Sequence, residues 1–570
     1  MSHQTRHGAT VFDASDAAPP SLDLGPQPTS RDEKESLSSD KHQPVTPQVL
    51  AIEKPVKNGS TPPKRSRLKS ITIVAAAAGT MTLNVSSMTA VSMAIPTIAR
   101  DLEIANDKIP WIVSAFTLSA GCLLLLFGRL ADLYGRKLVW RLGALWIVII
   151  SFACSFAKTG TQLIILRAMH GMGPAAMVPA ALGILAHSFP PSRARSTAFA
   201  TFSAGAPIGG AIGTVYGGIM ANYASWRGVF YFTAALGAVV LLAGHFAMDP
   251  DTQNVSTDRR VDWIGAFLVT SGLVLFTFAL GDAPTVGWSS PRTIALLVSG
   301  PILVVIFLLW EHHLIAHTSF PPLMPLNIWT RANGRFAAMI GVAFMEWACF
   351  TTLTLWATLY YQNYQRLNPM QTMLRFLPMP VTGVICNVVV ALTVGAINGA
   401  YLLALGTTAT SLSALLFALI NPTASYFAFG FPASVICVMG ADFVFACGTL
   451  FIAKVALPGE QSVAGALFQT VTSLGTSFGL AITTIAEVAG ASHEAGRMGI
   501  HVSLDAPVST IPPPVLLNGY RMAQFASFAF GITGFLMVLL FLHGIGIVGT
   551  KRTKQVTGPE EARPTKEGPA

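Results

Sequence analysis

The sequence predicts an all-α polytopic membrane protein, and three observations predict it. Of 570 residues, 52% are hydrophobic and only 11% are charged. A soluble chain carries about 25% charged residues, so this one cannot cover a water-facing surface of its size. Continuous apolar runs of about 20 residues recur, the length that crosses ~30 Å of hydrocarbon at ~1.5 Å per residue. The runs do not alternate in polarity, as the strands of a membrane barrel would.

Taken in order, the runs place fourteen helices, at 72–95, 110–128, 140–157, 162–187, 197–222, 228–248, 263–281, 293–312, 336–361, 372–395, 400–420, 426–452, 462–488 and 521–548. The tenth contains Pro378 and Pro380, which a membrane helix tolerates where neighbours re-satisfy the freed carbonyls. Residues 1–70 are rich in Pro, Ser and Asp and cannot bury a core, so they read as a disordered tail with no cleavable signal. The first helix then serves as the targeting signal.

The polar stretches between the runs set the organisation. An N-terminal six-helix bundle spans 71–248. A linker with two extra helices follows at 249–335, then a C-terminal six-helix bundle at 336–548 and a tail at 549–570. Paired halves are a recurring plan of secondary transporters. No nucleotide-binding G-x-x-x-x-G-K-[ST] motif is present.

The net charge of +9 is distributed topologically and does not read as a nucleic-acid surface. Lys and Arg crowd "KNGSTPPKRSRLK" before the first helix and "KRTK" after the last. They also mark alternate loops, with Arg129, Arg136, Lys137 and Arg141, then Arg193 and Arg195, Arg259 and Arg260, and Arg331 and Arg335. The opposite loops hold fewer. Both termini are therefore expected in the cytoplasm. The six cysteines all fall inside apolar runs without a CxxC pair, as small core residues do.

One stretch is too ordered for a merely topogenic loop. "GRLADLYGRK" places Gly128, Arg129, Asp132, Gly135, Arg136 and Lys137 between the second and third helices. The glycines permit a tight turn and close approach, and the aspartate can cap or pair. Here the chain resembles the major facilitator superfamily, whose signature in this loop reads approximately G-x-L-a-D-r-x-G-r-[KR]. "RAMHGMGPAAMVPA" is similar to the family's fourth-helix motif through Arg167, Gly171 and Gly173. "GGAIGTVYGG" resembles the antiporter motif of the fifth helix through Gly209, Gly213, Gly217 and Gly218. "PWIVSAFTLSAG" and "SWRGVFYF" resemble the fourteen-helix drug:proton antiporter-2 type, and the charged tails look fungal. His170 stands where the family usually has Gln, Thr214 where the antiporter motif has Pro, and Ser87 where many relatives carry an aspartate.

The resemblance implies the major facilitator fold and a rocker-switch mechanism, in which two bundles alternate access to a central site. It implies that Gly128, Arg129, Asp132, Gly135, Arg136 and Lys137 latch the bundles together. It also places Arg167 near the proton site. The chain is then a multidrug-resistance-type efflux pump for a small organic molecule. It would act as a monomer in the plasma membrane or, alternatively, the vacuolar membrane, with protons and lipid as partners and no cofactor or enzymatic step.

Ionisable groups inside the membrane are costly and so are functional candidates. Arg167 and His170 share one helix face. Glu346 lies about 15 Å into the ninth helix at ~1.5 Å per residue. Asp442 is the second intramembrane carboxyl, and these four are the candidates for proton or substrate coupling. Asn84, Asn387 and Gln469 are cavity candidates, or equally interhelical glue. The glycine lattice of the fifth helix lets another helix approach closely. In "WEHHLIAH" the group Glu311, His312, His313 and His317 reads as a polar loop cluster rather than a metal site. The alternative function is uptake, or facilitated passage, of a small polar or ionic solute.

Overall fold

A computed structural model describes residues 66–104, 111–249, 260–457, 459–500 and 511–549. The described residues form sixteen α-helices and no strand. They are α1 Arg67–Asp101, α2 Trp111–Cys122, α3 Leu124–Tyr134, α4 Arg136–Cys154, α5 Gly160–Ser188, α6 Arg193–Tyr223, α7 Trp226–Ala247, α8 Trp263–Val286 and α9 Pro291–His317. The second half holds α10 Arg335–Leu359, α11 Pro369–Phe376, α12 Pro378–Thr393, α13 Gly399–Ala418, α14 Gly430–Val455, α15 Gln461–Arg497 and α16 Pro513–Phe541. Thirteen spans are long and apolar enough to cross a membrane, and α2 with α3, bent by 44°, makes the fourteenth.

The helices start where the sequence supplies a cap. Thr159, Ser192, Ser225, Asp262, Asn368 and Asn398 each accept a hydrogen bond from a first-turn N–H. They stop where glycine permits a left-handed turn, as at Gly135 (φ 104°) and Gly287 (φ 100°).

Several expected boundaries move. The second span runs on to Tyr134 instead of stopping at 128, so Gly128, Arg129 and Asp132 are helical and the connection to α4 is Gly135 alone. The tenth span breaks at Leu377, because Pro378 has no N–H to carry the helix on. The first helix begins at Arg67, inside the stretch assigned to the tail, and α15 continues to Arg497. "WEHHLIAH" is the last part of α9 and not a loop. The remainder of both tails, with Arg259, lies outside the described residues.

The inserted α8 and α9 pair with each other, and on either side of them the helices form two bundles, α1–α7 and α10–α16. One face of the array carries the start of α1 and the segment that follows α16. There Lys69 near the start of α1 pairs with Asp249 after α7, and the Gly399 N–H at the start of α13 donates to the Gly546 carbonyl (2.9 Å) beyond α16. Near this terminal face one continuous buried cluster runs through both bundles, including Trp140, Leu182 and Phe202 with Phe336, Phe445 and Phe468. Toward the opposite face the core divides. Ile112, Leu163, Trp226 and Phe230 form one cluster, and Trp356, Tyr361, Phe417 and Tyr520 another. The bundles thus share one core near this face and keep clusters of their own toward the other.

Candidate functional site

The weld between the bundles at the terminal face centres on Asp132. A helix start leaves its first N–H groups without partners, and these favour a negative charge. At α15 the charge comes from the other bundle. The Ser462 and Val463 N–H groups each donate to Asp132 Oδ2 (both 3.1 Å). Asp132 is 6% exposed, and Arg136 donates to its Oδ1 from Nε and Nη2 (both 3.1 Å) while Nη1 donates to the Gly183 carbonyl (3.2 Å). Gly128 makes the approach possible, since a Cβ there would lie 2.7 Å from Ala466 Cβ and 3.0 Å from the Ser462 carbonyl.

The motif residues do not all share this role. Gly135 supplies only the turn. Lys137 donates to the Met248 carbonyl within its own bundle, so it does not join the two bundles there. Arg129 lies within electrostatic reach of Glu311 on α9.

Three further groups serve the weld: Arg195 and Arg331, which in the sequence are only loop charges, and Glu311, which there belongs to a polar cluster. Arg195 Nη2 donates to the Ala453 carbonyl of the other bundle (2.7 Å). Arg331 Nη1 donates to Glu460 Oε2 (2.6 Å), just ahead of α15. Glu311, fully buried, accepts from the Leu323 and Met324 N–H groups (3.0 and 3.3 Å) and so holds the strap that carries Arg331. His312, His313 and His317 are exposed while Glu311 is buried, so the four do not converge. The signal for Arg195 and Arg331 was present, as basic residues at helix ends, but charge alone does not say across which seam a residue reaches.

The glycine lattice of α6 is a seam within the first bundle. Gly205, Gly209, Gly213 and Gly217 meet Ala78, Thr82, Ser86 and Ala90 of α1, where an added Cβ would lie 2.4 to 2.7 Å from backbone oxygens. Two helices with small contacts every four residues interlock this way. Gly218 does not belong to the seam, because nothing lies within 4 Å of a Cβ built on it.

Arg167 and His170 do come together, deep in the first bundle. Arg167 is fully buried; its Nε donates to the Ile112 carbonyl (3.0 Å), and its guanidinium lies 4.3 Å from the Phe116 ring centroid. Its Nη1 lies 3.0 Å from His170 Nδ1, and His170 Nε2 lies 2.9 Å from Ser151 Oγ. An arginine can only donate, so Nδ1 is the acceptor and the ring hydrogen sits on Nε2, facing Ser151. This is a neutral imidazole with both nitrogens engaged. Ser87 donates to the Leu83 carbonyl (2.6 Å) of its own helix.

The two intramembrane carboxyls lie apart in the second bundle. Glu346 is fully buried, with Oε1 2.7 Å from Thr410 Oγ1, which is also 3.0 Å from the Cys437 carbonyl. Thr410 has one hydroxyl hydrogen for these two acceptors, so a protonated Glu346 satisfies both contacts and a carboxylate does not. Asp442 is 6% exposed, its Oδ2 has no hydrogen-bond partner, and it faces Gly383 of α12. Asn387, beside it, donates from Nδ2 to the Gly383 carbonyl (2.9 Å) and leaves Oδ1 without a partner. Gln469 Oε1 is likewise buried without a partner, and Asn84 is half-buried on α1.

The superfamily model described as Major Facilitator Superfamily matches residues 77–480. A protein of Pyricularia oryzae called MFS-type transporter 1 is 28% identical over 520 residues, covering 84% of each chain. The low affinity ammonium transporter of Saccharomyces cerevisiae is 28% identical over 385 residues, covering 66% of this chain and 73% of its own. Efflux pump terJ of Aspergillus terreus is 26% identical over 460 residues, covering 79% of this chain and 83% of its own. Among solved structures, the human organic anion transporter MFSD10 superposes with a TM-score of 0.58 at 14% identity, covering 84% of this chain and all of that one; this likeness concerns the fold.

Proposed function

The chain belongs to the major facilitator superfamily, and from that membership we propose that it is a proton-coupled exporter of a small organic molecule. It is a multi-pass membrane transporter and not an enzyme. The observation that carries the mechanism is the Asp132 cap on α15, a fastening between bundles at one face while the core divides toward the other. In this reading Gly128, Asp132 and Arg136 form the latch, Gly135 gives the turn between them, Arg129 and Lys137 brace it within reach of Glu311 and Met248, and the terminal face is cytoplasmic. The chain is then closed to the cytoplasm and open outward. Glu346 and Asp442 are the proton carriers, Arg167 with His170 holds a fixed positive charge near the outward half, and Asn84, Asn387 and Gln469 offer polar contacts. The α1–α6 seam seals the first bundle against leak. The carrier acts as a monomer in the plasma membrane, and the related efflux pump supports the direction.

Uptake of a small ion is the second reading, and it rests on the relative named as an ammonium transporter. Reconstituted vesicles with an imposed pH gradient separate the two. Export predicts gradient-driven accumulation of an amphipathic organic probe such as rhodamine 6G, abolished by a protonophore. Movement of methylammonium alone, indifferent to the protonophore, would replace the exporter with the facilitator.

A further inference from the structure

We infer that Asp442, rather than Glu346, is the carboxyl whose proton sets which face of the transporter is open. The inference deepens the proton-coupled reading and rests on it. Both carboxyls are buried, but only one touches the seam between bundles. A Cβ added to Gly383 would lie 2.8 Å from Asp442 Oδ2 and 2.7 Å from Pro207 Cβ, so one glycine separates the carboxyl from α6 of the first bundle. Phe202 of α6 and Phe445 of α14 extend the same contact, with stacked rings 6.2 Å apart. Glu346, by contrast, meets Thr410 and Gly440, both within the second bundle. A charge change there need not be felt across the seam.

The hydrogen-bond inventory fixes the sign. Asp442 Oδ2 and Asn387 Oδ1 are buried oxygens without a geometric hydrogen-bond partner, and the neutral Asn387 amide is the polar side chain that supports the carboxyl. A proton on Asp442 removes the charge and turns one acceptor into a donor. Among the described residues no compensating cation faces it. α12 and α13 carry no charged residue, and α6 carries only Arg193 and Arg195, in its first turn at the terminal face. The ionisable groups that feel Asp442 are the thiols of Cys386 on α12 and Cys437 on α14. Glu346 of α10 lies against Gly440, on a different neighbour from Gly383. The other elements against α14 hold their charges elsewhere: Arg167, His170 and His187 on α5, Arg375 on α11 above Tyr361 and Tyr426, and Glu487 with His493, Glu494 and Arg497 on the far half of α15. The closed seam therefore accommodates the acid and disfavours the carboxylate, since burying an unpaired charge is costly. Loss of the proton drives α12 away from α6 and opens the terminal face.

The test uses the full chain in lipid nanodiscs without substrate. Spin labels go on cysteines placed at Ala194 and Leu457, exposed positions at the terminal ends of α6 and α14. The six native cysteines are buried and stay unlabelled. The expected result is a short distance at acid pH and a growing long-distance population as pH rises. Asp442→Asn should hold the short distance at every pH, while Glu346→Gln should keep the transition. Pro207→Ala keeps every carboxyl but thins the cover from the opposite bundle, so water stabilises the carboxylate. It should move the midpoint down by about one pH unit, and it serves if Asp442→Asn fails to fold. A pH response that survives Asp442→Asn, is lost as fully in Glu346→Gln, or has an unmoved midpoint in Pro207→Ala overturns the inference alone. A parent protein with no pH response overturns the proton-coupled reading as well.

Discussion

Gly209 and Gly218 look alike in the sequence and differ completely in what surrounds them. A Cβ on Gly209 would sit 2.5 Å from the Thr82 carbonyl oxygen, which is backbone and cannot turn aside, whereas Gly218 faces open space. Gly209→Ala should therefore force α1 and α6 apart and cost about 1–3 kcal/mol, the range of an overpacked core. Gly218→Ala should stay within about 0.5 kcal/mol of the parent. Thermal unfolding of the two variants in detergent measures both, and equal melting temperatures would remove the seam. Spacing of four residues made the face legible but not where the neighbouring helix ends. The same limit applies to Arg167 and His170: their shared face was readable, but the neutral tautomer depends on Ser151, which lies on another helix.

In the proposed mechanism the joint between α3 and α15 is the element on which alternation depends. Asp132 carries two obligations there, as the cap of a helix in the opposite bundle and as the partner of a buried Arg136. Asp132→Asn keeps the shape and removes the charge. It takes the Asp132 charge away from the buried guanidinium, and breaking a buried pair costs about 3–5 kcal/mol. Transport should fall at least tenfold, by a conversion of about 1.4 kcal/mol per decade, while membrane expression persists. Undiminished transport would reduce the stretch to topology. The strap makes a companion test through Arg331 and Glu460, which are partly exposed. Arg331→Glu should weaken closure at the terminal face, and adding Glu460→Arg should restore it, read as the distance between labels at Ala194 and Leu457. The helices themselves were legible because apolar run length is a strong signal. The extension of α3 was not, because the donors that let Asp132 lie buried within a helix sit on other elements, Arg136 of α4 and the start of α15. The tenth span is expected to run through Pro378 and Pro380, and its break falls at Leu377, immediately before the first of them.

Across the whole molecule, the weld at one face and the divided core toward the other make orientation the property that gives the structure its direction. α7 ends and α8 begins on the face where α1 starts, since Met248 and Asp249 meet Lys137 and Lys69. That face also gathers Arg67, Lys69, Arg136, Lys137, Arg193, Arg195, Arg331 and Arg335, the excess of Lys and Arg found on the cytoplasmic side of membrane proteins. The connection between α7 and α8 contains the sequon Asn254-Val255-Ser256, which lies outside the described residues. If the terminal face is cytoplasmic, this sequon never meets the glycosylation machinery, and Asn254 should carry no glycan when the chain is expressed in a eukaryotic cell. A sequon introduced within residues 501–510, which follow the opposite end of α15, should be glycosylated in the same cells. Mobility on a gel with and without endoglycosidase reads both. A glycan on Asn254 would invert the transporter in its membrane: the Asp132 weld would then close the outside, and the structure would stand open to the cytoplasm.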